Sequence, residues 1–128
     1  MSDHLFNTQV ETRNGVTHMA MAGELDLGTA PILHDLLSSA EADGVHSILL
    51  DMRDLKFIDS TGLRSVLGGW TRAHDNGHRL VLVGANRSIR RLCRITDTEF
   101  LLDAAEGTQV LEEFTGASTV LDRIALDD

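Results

Sequence analysis

The sequence predicts an α/β domain: a mixed β-sheet that opens with a hairpin and continues through alternating strands and helices, in the order β-β-α-β-α-β-α-β-α. Three observations carry this expectation. Leu5–Arg13 alternates in character and leads into Asn14-Gly15, a strong signal for a two-residue hairpin turn. Two continuous apolar runs, one within Ser47–Met52 and one at Leu80–Val83, have the form of strands covered on both faces. Between them lie stretches whose apolar residues recur at spacings of three and four. Strands joined through helices run parallel with right-handed crossovers, so the hairpin supplies the antiparallel pair.

Taken in order, Leu5–Arg13 places Phe6, Thr8, Val10 and Thr12 on one side and Asn7, Gln9 and Glu11 on the other, as a half-buried strand would. Val16–Ala22 forms its hairpin partner, and Gly23–Gly28 reads as a loop bounded by glycines. Thr29 is a capping residue for a helix with Pro31 in its first turn, where a missing N–H costs nothing. Leu33, Leu36, Leu37 and Ala40 share one face of that helix, and Asp43-Gly44 ends it. Ser47–Met52 is the next strand. Asp59 or Ser60 starts a helix with a buried stripe of Leu63, Val66, Leu67, Trp70 and Ala73, stopped by Asn76-Gly77. Arg79–Gly84 is a second buried strand, and Ser88–Ile95 a short helix burying Ile89, Leu92 and Cys93. Phe100-Leu101-Leu102 reads as a weak last strand. Thr108–Phe114 is a terminal helix turning Val110, Leu111 and Phe114 to the core. Residues 1–116 then make one domain, with 117–128 an extension that is either a helical turn or a disordered tail.

Size and composition fit one globular unit: 128 residues, 42% of them hydrophobic. No apolar run approaches the roughly 20 residues that span a bilayer. Met1-Ser2-Asp3-His4 does not begin a secretory signal, and the single Cys93 has no disulfide partner within the chain and reads as a small buried hydrophobe. These features point to the cytoplasm. A net charge of −9 argues against nucleic acid and against anionic membrane surfaces, while remaining compatible with a basic protein partner. Arg87, Arg90, Arg91 and Arg94 fall at spacings of three and four and share a face; it reads as solvated, the alternative being a contact surface for an acidic partner. The six histidines suggest no metal site, since Asn76-Gly77 interrupts the helix that would align His74 with His78. No cofactor is expected.

The chemistry concentrates in Asp59-Ser60-Thr61-Gly62-Leu63, at a helix start that follows a buried strand. Such a start presents unpaired N–H groups and the positive end of the helix dipole, so a phosphate on a hydroxyl there is well received. A single Ser or Thr before a helix is ordinarily just a cap. Here two hydroxyls stand together, an acid precedes them and a glycine follows. Gly62 reads as keeping approach to the helix start open. Ser60 is therefore expected to accept chemistry performed by another protein, with Thr61 the second choice. No catalytic apparatus is expected in the chain itself: it lacks a G-x-S-x-G elbow, a G-x-x-x-x-G-K-[ST] loop and a G-x-G-x-x-G turn. Asp51 ends a strand as a phosphorylated receiver aspartate would, but the acidic cluster and late lysine of a receiver are missing. Glu24 and Asp26, by themselves, read as an acidic loop near a helix N-terminus.

Asp59-Ser60-Thr61-Gly62-Leu63 after Leu49-Leu50-Asp51 and Leu55-Lys56-Phe57-Ile58, together with Gly23-Glu24-Leu25-Asp26 after a hairpin, resembles the STAS domain, and within it the bacterial anti-sigma-factor antagonists. The resemblance covers about residues 5–115; Arg87–Leu92 is similar to the family's third helix, and nothing after Gly116 matches. It implies a non-enzymatic partner switch. The unphosphorylated protein would bind an anti-sigma factor that is also its serine kinase, and so release a sigma factor. Phosphorylation of Ser60 would end that binding, and a metal-dependent serine phosphatase would restore it. Asp26, Glu24, Asp59, Ser60, Thr61 and Gly62 would form the partner surface. The alternative within the family is a scaffold, or a soluble subunit of a transporter or stress-signalling complex. Either switch requires the Ser60 hydroxyl to be reachable from outside.

Overall fold

The computed structural model describes residues 6–116. The reading of 117–128 lies outside the described residues. Four strands form one sheet in the sequential order β1 (Phe6–Arg13), β2 (Val16–Leu25), β3 (Ser47–Ile58), β4 (Arg79–Val83). β1 and β2 are antiparallel; β2–β3 and β3–β4 are parallel. The hairpin turns at Asn14 and Gly15, both at positive φ (54° and 75°), the two-residue geometry whose twist matches the strands it joins. The first strand is less buried than its alternation suggests. Only Phe6 is fully inside, and Val10 is 47% exposed, because β1 is an edge strand.

The intervening helices are α1 (Ala30–Ala42), α2 (Ser60–Asn76), α3 (Arg87–Ile95) and α4 (Ala104–Thr115). The first three pack on one face of the sheet. Leu33 and Leu37 of α1, Leu63 and Val66 of α2, and Ile89 and Cys93 of α3 meet Ile48, Leu50 and Met52 of β3 in the main core. α4 covers part of the other face, where Val110 and Phe114 meet Val16, Leu49 and Val81. β3 is thus buried on both sides over Ser47–Met52, which is why that segment is continuously apolar. α2 is stopped by Gly77 in the left-handed conformation (φ 79°), as the Asn76-Gly77 pair predicts.

Several elements differ from the sequence expectation. Both strands that lead to the candidate site run further: β2 through Leu25, so that Gly23-Glu24-Leu25 is strand and not loop, and β3 through Ile58. The register between them is interrupted after Ala20 and again after Gly23, which masks the alternation. Glu99–Leu102 is a short 3-10 helix, not a strand; it inserts Leu101 into the main core. A short apolar run does not distinguish the two forms. α4 begins at Ala104, capped by the Asp103 side chain accepting from the Glu106 N–H at 3.0 Å. On it Leu111 faces outward, 37% exposed, instead of joining the core.

Candidate functional site

The parallel strands deliver their C-terminal ends to one rim of the sheet, where ligand and partner sites of α/β folds collect. Three segments meet there: the end of β2 with the turn Asp26–Thr29, the end of β3, and the first turn of α2. Asp59 is the hinge between them. Its backbone is extended and its carboxylate caps α2, Oδ1 accepting from the Gly62 N–H at 2.8 Å. The second oxygen, Oδ2, accepts from the Leu27 N–H at 3.2 Å, and the Asp59 N–H donates to the Leu25 carbonyl at 3.2 Å. One aspartate therefore ties the helix start to the preceding turn.

Ser60 is the first residue of α2, and it is exposed. Its own N–H and that of Thr61 have no acceptor among the described residues, as the geometry of a helix start dictates once Asp59 has taken the Gly62 and Leu63 N–H groups through its side chain and carbonyl. An anion on the Ser60 oxygen meets two open donors and the positive end of a seventeen-residue helix. Thr61 is only partly exposed.

Gly62 has a different role from the one its exposure in the motif suggests. It is buried, so it does not hold open a path to the helix start. A Cβ on it would lie 2.3 Å from the Leu25 carbonyl oxygen and 2.9 Å from the carbonyl carbon. The missing side chain lets the end of β2 run directly against the first turn of α2.

Asp26 and Glu24 sit in the adjoining turn, both partly exposed. Asp26 Oδ1 accepts from the N–H groups of Gly28 (3.0 Å) and Thr29 (3.1 Å), and the Asp26 carbonyl accepts from Thr29 and Ala30. Asp26 thus shapes the entry to α1. Thr29 does not cap that helix through its side chain, contrary to expectation; its hydroxyl donates to the Glu24 carbonyl at 2.8 Å and accepts from the Asp26 N–H. Glu24 pairs across the sheet with Phe57.

The motif reading names Phe57 but gives no sign that it, or Leu27, stands exposed near this rim. Leu27, at the crest of the turn clamped by Asp59, is 72% exposed, and Phe57, two residues before Asp59, is 47% exposed. Apolar groups this open beside polar ones suit a protein contact. Leu27 also lines an open groove of about 480 Å³ between α1 and α2, with Pro31, His34, Thr61 and Arg64. The signal for Leu27 was present in the sequence as a lone apolar residue between Asp26 and Gly28.

A model of the STAS domain matches residues 7–111. The chain belongs to the STAS domain family. It is 31% identical over 104 residues to the anti-sigma-B factor antagonist of Staphylococcus aureus, a match spanning 81% of this chain and 96% of that protein. The solved anti-sigma factor antagonist from Mycobacterium paratuberculosis superimposes with a TM-score of 0.69 at 23% identity, covering 77% of this chain and 83% of that one. The antagonist SpoIIAA in its unphosphorylated form superimposes with a TM-score of 0.72 at 18% identity, covering 88% and 100%. These structures share the STAS fold: a mixed sheet opened by a hairpin.

Elsewhere in this STAS domain, Asp51 is buried in β3 and already committed. Arg53 Nε donates to its Oδ1 at 2.9 Å, and His18 Nε2 lies 2.9 Å from Oδ2. Burial pushes the carboxyl up, but the hydrogen bonds from Arg53 and His18 outweigh burial and hold its pKa at about 2. An aspartate held this way is a structural anion. Among the described residues no helix is long and apolar enough to cross a membrane.

Proposed function

We propose that this STAS domain is an anti-sigma factor antagonist of the cytoplasm, switched by phosphorylation of Ser60. In the unphosphorylated state it docks on an anti-sigma factor that is also its serine kinase, through Ser60, Thr61, Asp59 and the Glu24–Gly28 turn, and thereby frees a sigma factor. A serine phosphatase resets it. Support comes from relatives named anti-sigma-B factor antagonists that match over nearly their full length. The observation that carries the switch is the exposed Ser60 at the first position of α2, with open N–H groups beside it. Leu27 and Phe57 supply the apolar contact that a docking surface needs, and a phosphate planted beside them would have to be desolvated on docking. The role requires no catalytic group of this chain.

Incubation with a purified anti-sigma factor kinase and ATP, followed by intact mass and site mapping, tests this. One phosphate on Ser60, lost in Ser60→Ala and kept in Thr61→Ala, is the expected result. Phosphate on Thr61, or no labelling by a kinase that binds the protein, overturns it.

A further inference from the structure

α3 carries Arg87, Arg90, Arg91 and Arg94, all exposed, on the face opposite its buried Ile89 and Cys93. Arg13, Arg53, Arg72 and Arg79 each hold a carboxylate of their own. Arg87, Arg90 and Arg91 have no salt bridge among the described residues, and Arg94 reaches Glu99 only at 3.9 Å, both side chains well exposed. The nine-residue helix contains no acidic residue. Its arginines are neighbours three and four apart, so they repel one another, and Arg87 sits at the first helical position, where the dipole disfavours a cation. A merely solvated face gains nothing from this arrangement, and an anionic surface laid over it relieves the repulsion.

The strip also begins at the right place. Asn86, which caps α3, donates through Nδ2 to the carbonyls of Leu55 (3.2 Å) and Lys56 (3.4 Å), on the stretch of β3 that runs into Phe57, Asp59 and Ser60. The start of α3 is thereby tied to the rim that presents Ser60. In a chain of net charge −9 this is a local positive strip, complementary to an acidic partner.

Resting on the antagonist reading, we propose that the arginine face of α3 is a second docking strip, which receives an acidic stretch of the same anti-sigma factor that reads Ser60. The complex then has two zones: the serine and apolar groups around it, and a charge-complementary zone along α3 that speeds association.

The test is binding of the purified anti-sigma factor to wild-type protein and to Arg90→Glu/Arg91→Glu, by surface plasmon resonance at low and high salt. Both side chains are exposed, and an unchanged thermal melt certifies the fold. The double reversal is expected to weaken binding roughly tenfold or more at low salt, mainly through kon, with the difference shrinking at high salt. Wild-type binding with unchanged affinity and salt dependence in the variant overturns the strip and leaves the antagonist reading intact. No binding by unphosphorylated wild type overturns both. A variant that alters only self-association, seen by sedimentation, assigns the strip to a second copy and also overturns the proposal.

Discussion

Replacing Gly62 by alanine separates two explanations of the glycine in the serine motif. If Gly62 only kept the helix start accessible, alanine would stabilise the protein, since it is the better helix former by up to about 1 kcal/mol. The packing predicts the opposite. The new Cβ would stand 2.3 Å from the Leu25 oxygen, where contacts under 3.0 Å do not persist. The obstructing atom is backbone and cannot rotate away, and the same oxygen accepts the Asp59 N–H at 3.2 Å. Relief requires moving the end of β2 away from α2, which stretches that hydrogen bond. Overpacking of this kind costs about 1–3 kcal/mol. An unyielding backbone contact at 2.3 Å belongs in the upper part of that range, about 2–3 kcal/mol, so after the propensity gain of up to about 1 kcal/mol a net loss of about 1–2 kcal/mol remains, or roughly 4–8 °C in Tm for a domain of this size. Thermal melts of Gly62→Ala beside wild type, with urea denaturation as a second readout, measure it. A Tm equal to or above wild type would refute the close approach of strand and helix as the reason for the glycine.

Asp59→Ala removes the cap of α2 and the acceptor of the Leu27 N–H together, and should cost about 1–2 kcal/mol in urea denaturation, with Asp59→Asn recovering part of that loss because its amide oxygen still accepts. The buried Asp51 has its folded pKa lowered from 3.8 to about 2, so its ionised form contributes stability that is present above pH 4 and lost as pH falls through 4 toward 2. Stability measured across that window should drop by about 2 kcal/mol from this group, and Asp51→Asn should flatten the slope while lowering stability at pH 7.

Much of this fold was legible because its strongest signals are local. Asn14-Gly15 and Asn76-Gly77 demand backbone conformations few other pairs adopt, and Ser47–Met52 needs apolar cover on both faces. Legibility failed where a distant neighbour decides. Phe100–Leu102 carries strand-like residues, yet only Leu101 is fully buried in the core, with Leu102 packing partly buried against it, and a single turn of 3-10 helix delivers them. Val10 alternates correctly and stays exposed because, among the described residues, no strand or helix covers the outer side of β1 there. At the site, Ser60 and the cap were readable from the motif. The clamp from Asp59 to Leu27 and the pressure of Leu25 on Gly62 were not, because both join residues more than thirty positions apart.

The same geometry determines what a phosphate at Ser60 changes. Within the free protein the added charge meets opposing effects. Repulsion from Asp59 at about 5 Å would be on the order of 3 kcal/mol at an effective dielectric of 20, but solvent and salt at an exposed position reduce it to about 1 kcal/mol or less. The open N–H groups of Ser60 and Thr61 and the helix dipole return about 0.3–1 kcal/mol. These nearly cancel, so the phosphorylated protein should melt within about 3 °C of the unphosphorylated one. In the docked complex proposed above the balance would be different, because water would leave the rim around Leu27 and Phe57 and the dianion would have to be stripped of its hydration. A penalty of about 3 kcal/mol or more there corresponds to at least a hundredfold loss of affinity. Calorimetric melts and titrations on the two forms should therefore diverge, with Tm nearly constant and Kd much larger. A phosphoprotein that unfolds many degrees lower, with affinity falling only in proportion to its unfolded fraction, would show that the modification acts on the fold instead of the surface.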